Sequence, residues 1–181
     1  MTVQSVKVPK ERIGALIGKN GEVKAKVEKQ TGVTITVDSE EGDVTVDYSN
    51  AEDPSAVLSV MDFVVAVGRG FSPEKAMIVL EDDWFLEVVD IREYVGKKPN
   101  HVARMRSRVI GTKGKTRRLF EELTGAYMSV YGNTISIIGD ALQLQVAMRA
   151  LEMLLTGSEH SAVYKFLESK RPEIKIDGMG F

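Results

Sequence analysis

Two short segments constrain this chain more than anything else in it: Leu16-Ile17-Gly18-Lys19-Asn20-Gly21 and Val109-Ile110-Gly111-Thr112-Lys113-Gly114. Each is a pair of aliphatics followed by Gly-x-x-Gly, and Gly111 follows Gly18 by 93 positions. The correspondence continues downstream. Gly32 and Gly125, each preceded by a threonine, lie eleven positions beyond Gly21 and Gly114. Alternating runs follow in the same register, Val33-Thr34-Ile35-Thr36-Val37 and Ala126-Tyr127-Met128-Ser129-Val130, and this alternation predicts a strand in each copy. Few residues are identical between the copies, yet the order of patterns is the same. A spacing of 93 residues is too long for a solenoid unit and matches two tandem domains.

Helical spacing follows each loop. Val23, Val27 and Thr31 recur on one helical face with charges between them, and in the second copy Thr116, Leu119, Phe120 and Leu123 do so. A polar turn (38–43 and 131–133), a further strand (44–48 and 134–138) and a long apolar helix complete each copy. Asp53 with Pro54, and Asp140, are the expected start signals of these closing helices; Gly68 and Gly157 are the expected stops. Ser72-Pro73 should open a short helix to about Leu80, and Trp84 to Asp90 should form a strand with Trp84 and Phe85 in a core. The prediction is an α+β chain in which strand, helix, loop, helix, strand, strand, helix occurs twice. Each copy should be a three-stranded antiparallel sheet with three helices on one face. The expected divisions are 1–70 for a first domain, 71–171 for a linker helix and second domain, and 172–181 for a flexible C-terminal tail.

The paired glycines carry the chemistry. A turn without Cβ atoms lets another backbone approach closely. The helix that begins at the turn points its unsatisfied N–H groups and the positive end of its dipole at the same space. That arrangement suits a phosphate. One Gly-x-x-Gly is a weak signal; two copies with matching flanks at matching distances are a strong one.

On these residues both halves resemble KH domains of the eukaryotic-type topology. The resemblance implies that each Gly-x-x-Gly loop clamps the backbone of about four single-stranded nucleotides. The bases would lie in an apolar groove between the helices and the edge of the sheet. RNA contacts are thereby implied at Gly18, Lys19, Asn20 and Gly21 and at Gly111, Thr112, Lys113 and Gly114, with Leu16, Ile17, Val109 and Ile110 lining or supporting the groove. One departure stands out: the family often has an aliphatic three residues past the second glycine, where this chain has Lys24 and Arg117.

The second copy resembles a narrower family, the ribosomal assembly proteins called Partner-of-Nob or Dim. The likeness rests on 110–117, Phe120-Glu121-Glu122-Leu123-Thr124, Ile135-Ser136-Ile137-Ile138-Gly139, Gly70-Phe71-Ser72 and Asp82-Asp83-Trp84. It implies a non-catalytic protein that binds single-stranded (pre-)ribosomal RNA near the 3′ end of the small-subunit RNA, beside the Nob endonuclease. An archaeal member fits the compact length and the intact first loop.

Charge separates the two copies. Lys97 to Arg118 holds nine basic residues and no acid, inside a chain whose net charge is -2. Arg104 and Arg108 share a helical face with His101, and Lys115, Arg117 and Arg118 follow the loop, so these join Ile110 as candidate RNA contacts. Between Lys7 and Lys29 seven basic residues meet three acids. For that loop, RNA binding and a structural or protein-docking role both stand. The alternatives are an adaptor that recruits a nuclease or a translation initiation factor, and a general single-stranded RNA binder. A nucleotide-hydrolysing P-loop fails, because its first glycine would fall at Val109. With Cys 0 and two distant histidines, no metal or other cofactor is implied. Glu81-Asp82-Asp83 reads as a turn rather than a cation site. No apolar run approaches the ~20 residues of a membrane span. The first residues, Met1-Thr2-Val3-Gln4, lack a signal-peptide pattern, so a cytoplasmic protein is expected.

Overall fold

The structure, a computed structural model, describes residues 1–179. It divides into two units, one from Met1 to Trp84 and one from Phe85 on. The first contains β1 (Val3–Lys7), α1 (Ile13–Ile17), α2 (Glu22–Thr31), β2 (Thr34–Val37), β3 (Asp43–Asp47), α3 (Ala56–Gly68) and α4 (Pro73–Ala76). The second contains β4 (Phe85–Asp90), α5 (Arg92–Val95), α6 (Pro99–Ile110), α7 (Lys115–Thr124), β5 (Tyr127–Tyr131), β6 (Thr134–Gly139), α8 (Ala141–Leu155) and α9 (His160–Gly178). The expected α+β order thus occurs twice. Both sheets are antiparallel and three-stranded, ordered β1-β3-β2 and β4-β6-β5, so the last strand of each copy is central.

The Thr-Gly pairs explain how helix becomes strand. Thr31 donates its hydroxyl back to the carbonyl of Val27 and accepts from the amide of Val33, while Gly32 takes the left-handed conformation at φ 72°. Thr124 does the same between Phe120 and Ala126, with Gly125 at φ 77°. Such a C-cap satisfies carbonyls that the helix end would orphan and reverses the chain within two residues. In the first sheet Ile35, Val44 and Val46 are buried and Thr34 and Thr36 exposed, the alternation of a sheet with helices on one face. Leu16, Val27, Val60, Phe63 and Val64 close that core. The second core gathers Val109, Phe120, Ile135, Ile137, Leu151 and Leu154.

Four expectations are corrected. The division falls after Trp84, not after Gly70. Phe71, Ala76 and Val79 are buried, and Arg12 donates from Nε and Nη2 to the carbonyls of Val67 and Phe71, both at 2.8 Å, so the α4 segment belongs to the first unit. Asp53 does not cap α3, whose first helical residue is Ala56; it shapes the turn before it. There the hydroxyl and amide of Ser55 donate to its carboxylate and hold its pKa below the ordinary value. Asp140 does cap α8, in a reciprocal box with Gln143. Phe85 is 46% exposed rather than a core residue. Finally, the segment expected as a flexible tail is helical as far as Gly178, its last two residues lying outside the described ones. Helix α9 runs through Pro172 because Val163, Phe166, Leu167 and Ile174 return to one side and pack on the second core.

Candidate nucleic-acid interface

Each loop joins two helices, and the two loops have the same backbone. Gly18 and Gly111 lie at φ 78° and 77°, Asn20 and Lys113 at 55° and 54°, Gly21 and Gly114 at 75° and 74°. Three of the four positions in each loop are therefore left-handed, which only glycine adopts without a penalty. The two glycines of each pair serve different ends. A Cβ on Gly18 would come within 2.5 Å of Val23, and one on Gly111 would strike the Thr116 hydroxyl, so the first glycine lets the next helix pack against the turn. A Cβ on Gly21 or Gly114 would meet nothing within 4 Å. The second glycine therefore faces open space, at the N-terminal end of a ten-residue helix that no side chain caps.

The charges around the two openings differ. In the second unit Thr112, Lys113, Lys115 and Arg118 are exposed. Lys113, Arg104 and Arg118 make no ion pair among the described residues. The first helical residue after the loop is Lys115 there but Glu22 in the first unit, a reversal of charge at the positive end of the helix dipole. As whole units, residues 1–84 carry nine basic and fifteen acidic side chains, and residues 85–181 carry fifteen and eleven. Lys24 and Arg117, which stand in place of the family's aliphatic, are held by ion pairs along their own helices, to Glu28 at 3.1 Å and to Glu121 at 2.8 Å.

The basic residues of α6 part company. His101, Arg104 and Arg108 line a groove of about 350 Å³ together with Val95 and Met105. Arg108 is engaged by the protein: Nε donates to the carbonyl of Leu154 at 3.2 Å and Nη2 to that of Ser158, so it closes the C-terminal end of α8. Arg106, not singled out from sequence, donates to the carbonyl of Gly132 at 2.9 Å, in the turn from β5 to β6. Its side chain reaches toward the edge strand β5 while Arg108 points elsewhere; a helical projection of α6 could have raised that difference. Ile110 is half-buried beside the loop and Val109 fully buried beneath it. Among the described residues no cluster of side chains could hold a metal ion, and no helix is long and apolar enough to cross a membrane. Asp83, at φ 64°, sits in a turn before β4.

Two opposed helices, a glycine turn with an uncapped helix end and an edge strand beside it, present twice, define a tandem KH protein, a class that binds single-stranded RNA. The comparisons agree. Residues 3–55 match the KH domain, and residues 85–172 match the second KH domain of the PNO1 proteins, a eukaryotic type KH-domain (KH-domain type I). A KH domain-containing protein of Methanocaldococcus jannaschii is 46% identical over 96% of this chain and 76% of its own length. The RNA-binding protein pno1 of Ixodes scapularis is 32% identical over 62% of this chain and 49% of its own length. Among solved structures, Dim2p from Pyrococcus horikoshii superposes with a TM-score of 0.86 at 44% identity, covering 93% of this chain and 99% of that one. A complex of a/eIF2alpha, aDim2p and rRNA from the same organism matches with a TM-score of 0.87 at 43% identity, covering 94% of each chain. This chain belongs to the Dim2/PNO1 family of KH-domain RNA-binding proteins.

Proposed function

We propose that the protein binds single-stranded RNA of the small ribosomal subunit near its 3′ end during maturation, without catalysing a reaction, and that the second loop is the principal phosphate clamp. The observation that carries this is the contrast at the two helix ends. Both loops offer the same backbone cradle, but the helix after it opens on Lys115 in the second unit and on Glu22 in the first, and the second lies in the more basic unit with Lys113 and Arg118 exposed beside it. A phosphate diester brings one negative charge per nucleotide, so the second opening is electrostatically favoured. The solved complex of a relative with rRNA supports an RNA ligand of this kind.

The first unit, with six more acids than bases, is the better side for a protein partner. The presence of a/eIF2alpha in the relative's complex favours a translation initiation factor there; the Nob endonuclease is the other candidate. Both would be met in the cytoplasm, on the subunit itself. Competition at physiological salt tests the reading. An unpaired oligonucleotide with the sequence of the small-subunit RNA 3′ end should bind at least tenfold, about 1.4 kcal/mol, more tightly than a scrambled one of equal length. Phosphate contacts are alike in the two, so a difference reports base contacts. Equal affinities would leave a general single-strand binder.

A further inference from the structure

Helix α9 follows the closing helix α8 and is not part of the order of elements that the two copies share. Its first two turns touch both arms of the second loop. His160 Nε2 lies 2.9 Å from the carbonyl oxygen of Arg108, in the last turn of α6 before the glycines. A carbonyl only accepts, so Nε2 carries the proton and donates. One turn on, the Tyr164 hydroxyl lies 2.7 Å from Thr116 Oγ1, in the first turn of α7 after the glycines. Thr116 is 1% exposed, and its hydroxyl is the atom that would strike a Cβ on Gly111. The interaction therefore runs from α9 through Thr116 to the first glycine of the loop. The rings of His160 and Tyr164 meet edge to face with centroids 6.0 Å apart, and Lys115 Nζ lies 5.9 Å from the Tyr164 ring.

In the first unit the position of Thr116 is taken by Val23 and that of Lys115 by Glu22. Neither side chain can make the equivalent contact: valine has no hydroxyl, and a carboxylate is not attracted to a ring face. The second loop is thus held by groups that the first loop lacks.

We propose that α9 is a brace for the second loop, with Tyr164 and His160 as positioning residues that fix the angle between α6 and α7 and so aim the uncapped amides of α7 at an RNA phosphate. This rests on the reading of that loop as the phosphate clamp. Glycine-rich turns have little order of their own, and hydrogen bonds to phosphate weaken steeply as the donors tilt. Fixing the donors in advance removes an ordering cost from binding.

The test uses the full chain with Tyr164→Phe, which keeps the ring and its packing, together with Thr116→Val and the double variant. In the free protein, amide hydrogen exchange of 111–116 should rise about tenfold in Tyr164→Phe, while the melting temperature moves by no more than about 2 °C. Affinity for the 3′-end oligonucleotide should fall about fivefold in each single variant, and no further in the double one, because both remove the same bond. Thr116→Ser, which keeps the hydroxyl, should bind as the parent does. Unchanged exchange at the loop, or losses that add in the double variant, would overturn the brace. The RNA reading fails separately: with Thr112→Asp and Lys113→Asp together, undiminished binding would show that the loop is not the clamp, whatever the exchange data say of α9.

Discussion

Arg108 donates from Nε to the carbonyl oxygen of Leu154, 46 residues further along the chain, at 3.2 Å. With the second bond from Nη2 to Ser158, one guanidinium satisfies two carbonyls at the place where α8 ends and the chain turns into α9. Arg12 does the corresponding work in the first unit for Val67 and Phe71, at the end of α3. The two arginines are not at equivalent positions in the repeat, yet each binds carbonyls at the C-terminal end of the long helix that follows the central strand of its sheet. A cation at a helix C-terminus also complements the dipole.

Arg108→Ala should therefore act on stability. Loss of charge-assisted bonds to two carbonyls is expected to lower unfolding free energy by about 1.5–3 kcal/mol. RNA affinity measured well below the melting temperature should change less than about threefold. Chemical denaturation beside RNA titration decides it. A large loss of affinity with unchanged stability would mean that Arg108 leaves its carbonyls to contact RNA.

The two glycines of the second loop should tolerate substitution unequally. Gly114→Ala meets only the left-handed backbone penalty, about 1–2 kcal/mol, because nothing lies near the new methyl. Gly111→Ala adds a collision with the side chain and backbone nitrogen of Thr116, so it should cost at least about 1 kcal/mol more. The order reverses for RNA at equal folded fraction. Gly114→Ala places a methyl in the open approach and should weaken binding more per unit of stability lost. Equal unfolding free energies for the two variants would contradict the packing described.

Charge at the helix end should govern which unit holds RNA. Lys115→Glu is expected to lower affinity and to make the salt dependence shallower, by about 0.7 in the logarithmic slope for each phosphate that the variant no longer neutralises. Arg118→Ala should do likewise, whereas Arg117→Ala should do less, its charge being balanced by Glu121. The converse change, Glu22→Lys, should raise affinity by strengthening the first loop. Salt titrations of the four variants check this. No gain from Glu22→Lys would mean that the first unit turns its loop away from RNA for a reason other than charge.

The parts of this molecule that are legible in the sequence are those set by local backbone demands. A left-handed residue calls for glycine, a helix that ends and reverses calls for Thr-Gly, and a half-buried strand calls for alternation. Gly18, Gly32, Gly111 and Gly125 meet those demands at the expected positions. The second strand pair is also plain, although β6, buried at all six residues, shows a continuous apolar run toward its end rather than alternation. Resemblance of the Gly-x-x-Gly copies then supplies the class of ligand, because the same local geometry is put to the same use.

The sequence by itself determined the duplication, the two α+β units and both loops, since each depends on residues within a few positions of one another. Only the tertiary structure decided which cations remain for a ligand. Arg104 and Arg108 share one helix and one chemistry, but Arg108 finds carbonyls 46 and 50 residues away, and no spacing rule within α6 announces them. The same holds for α9. Pro172 argues for a stop, yet burial of Val163 and Leu167 and packing of Ile174 outweigh one lost backbone bond. A local signal is read from its own neighbours along the chain; a side chain's partner across the fold exists only after the chain has collapsed.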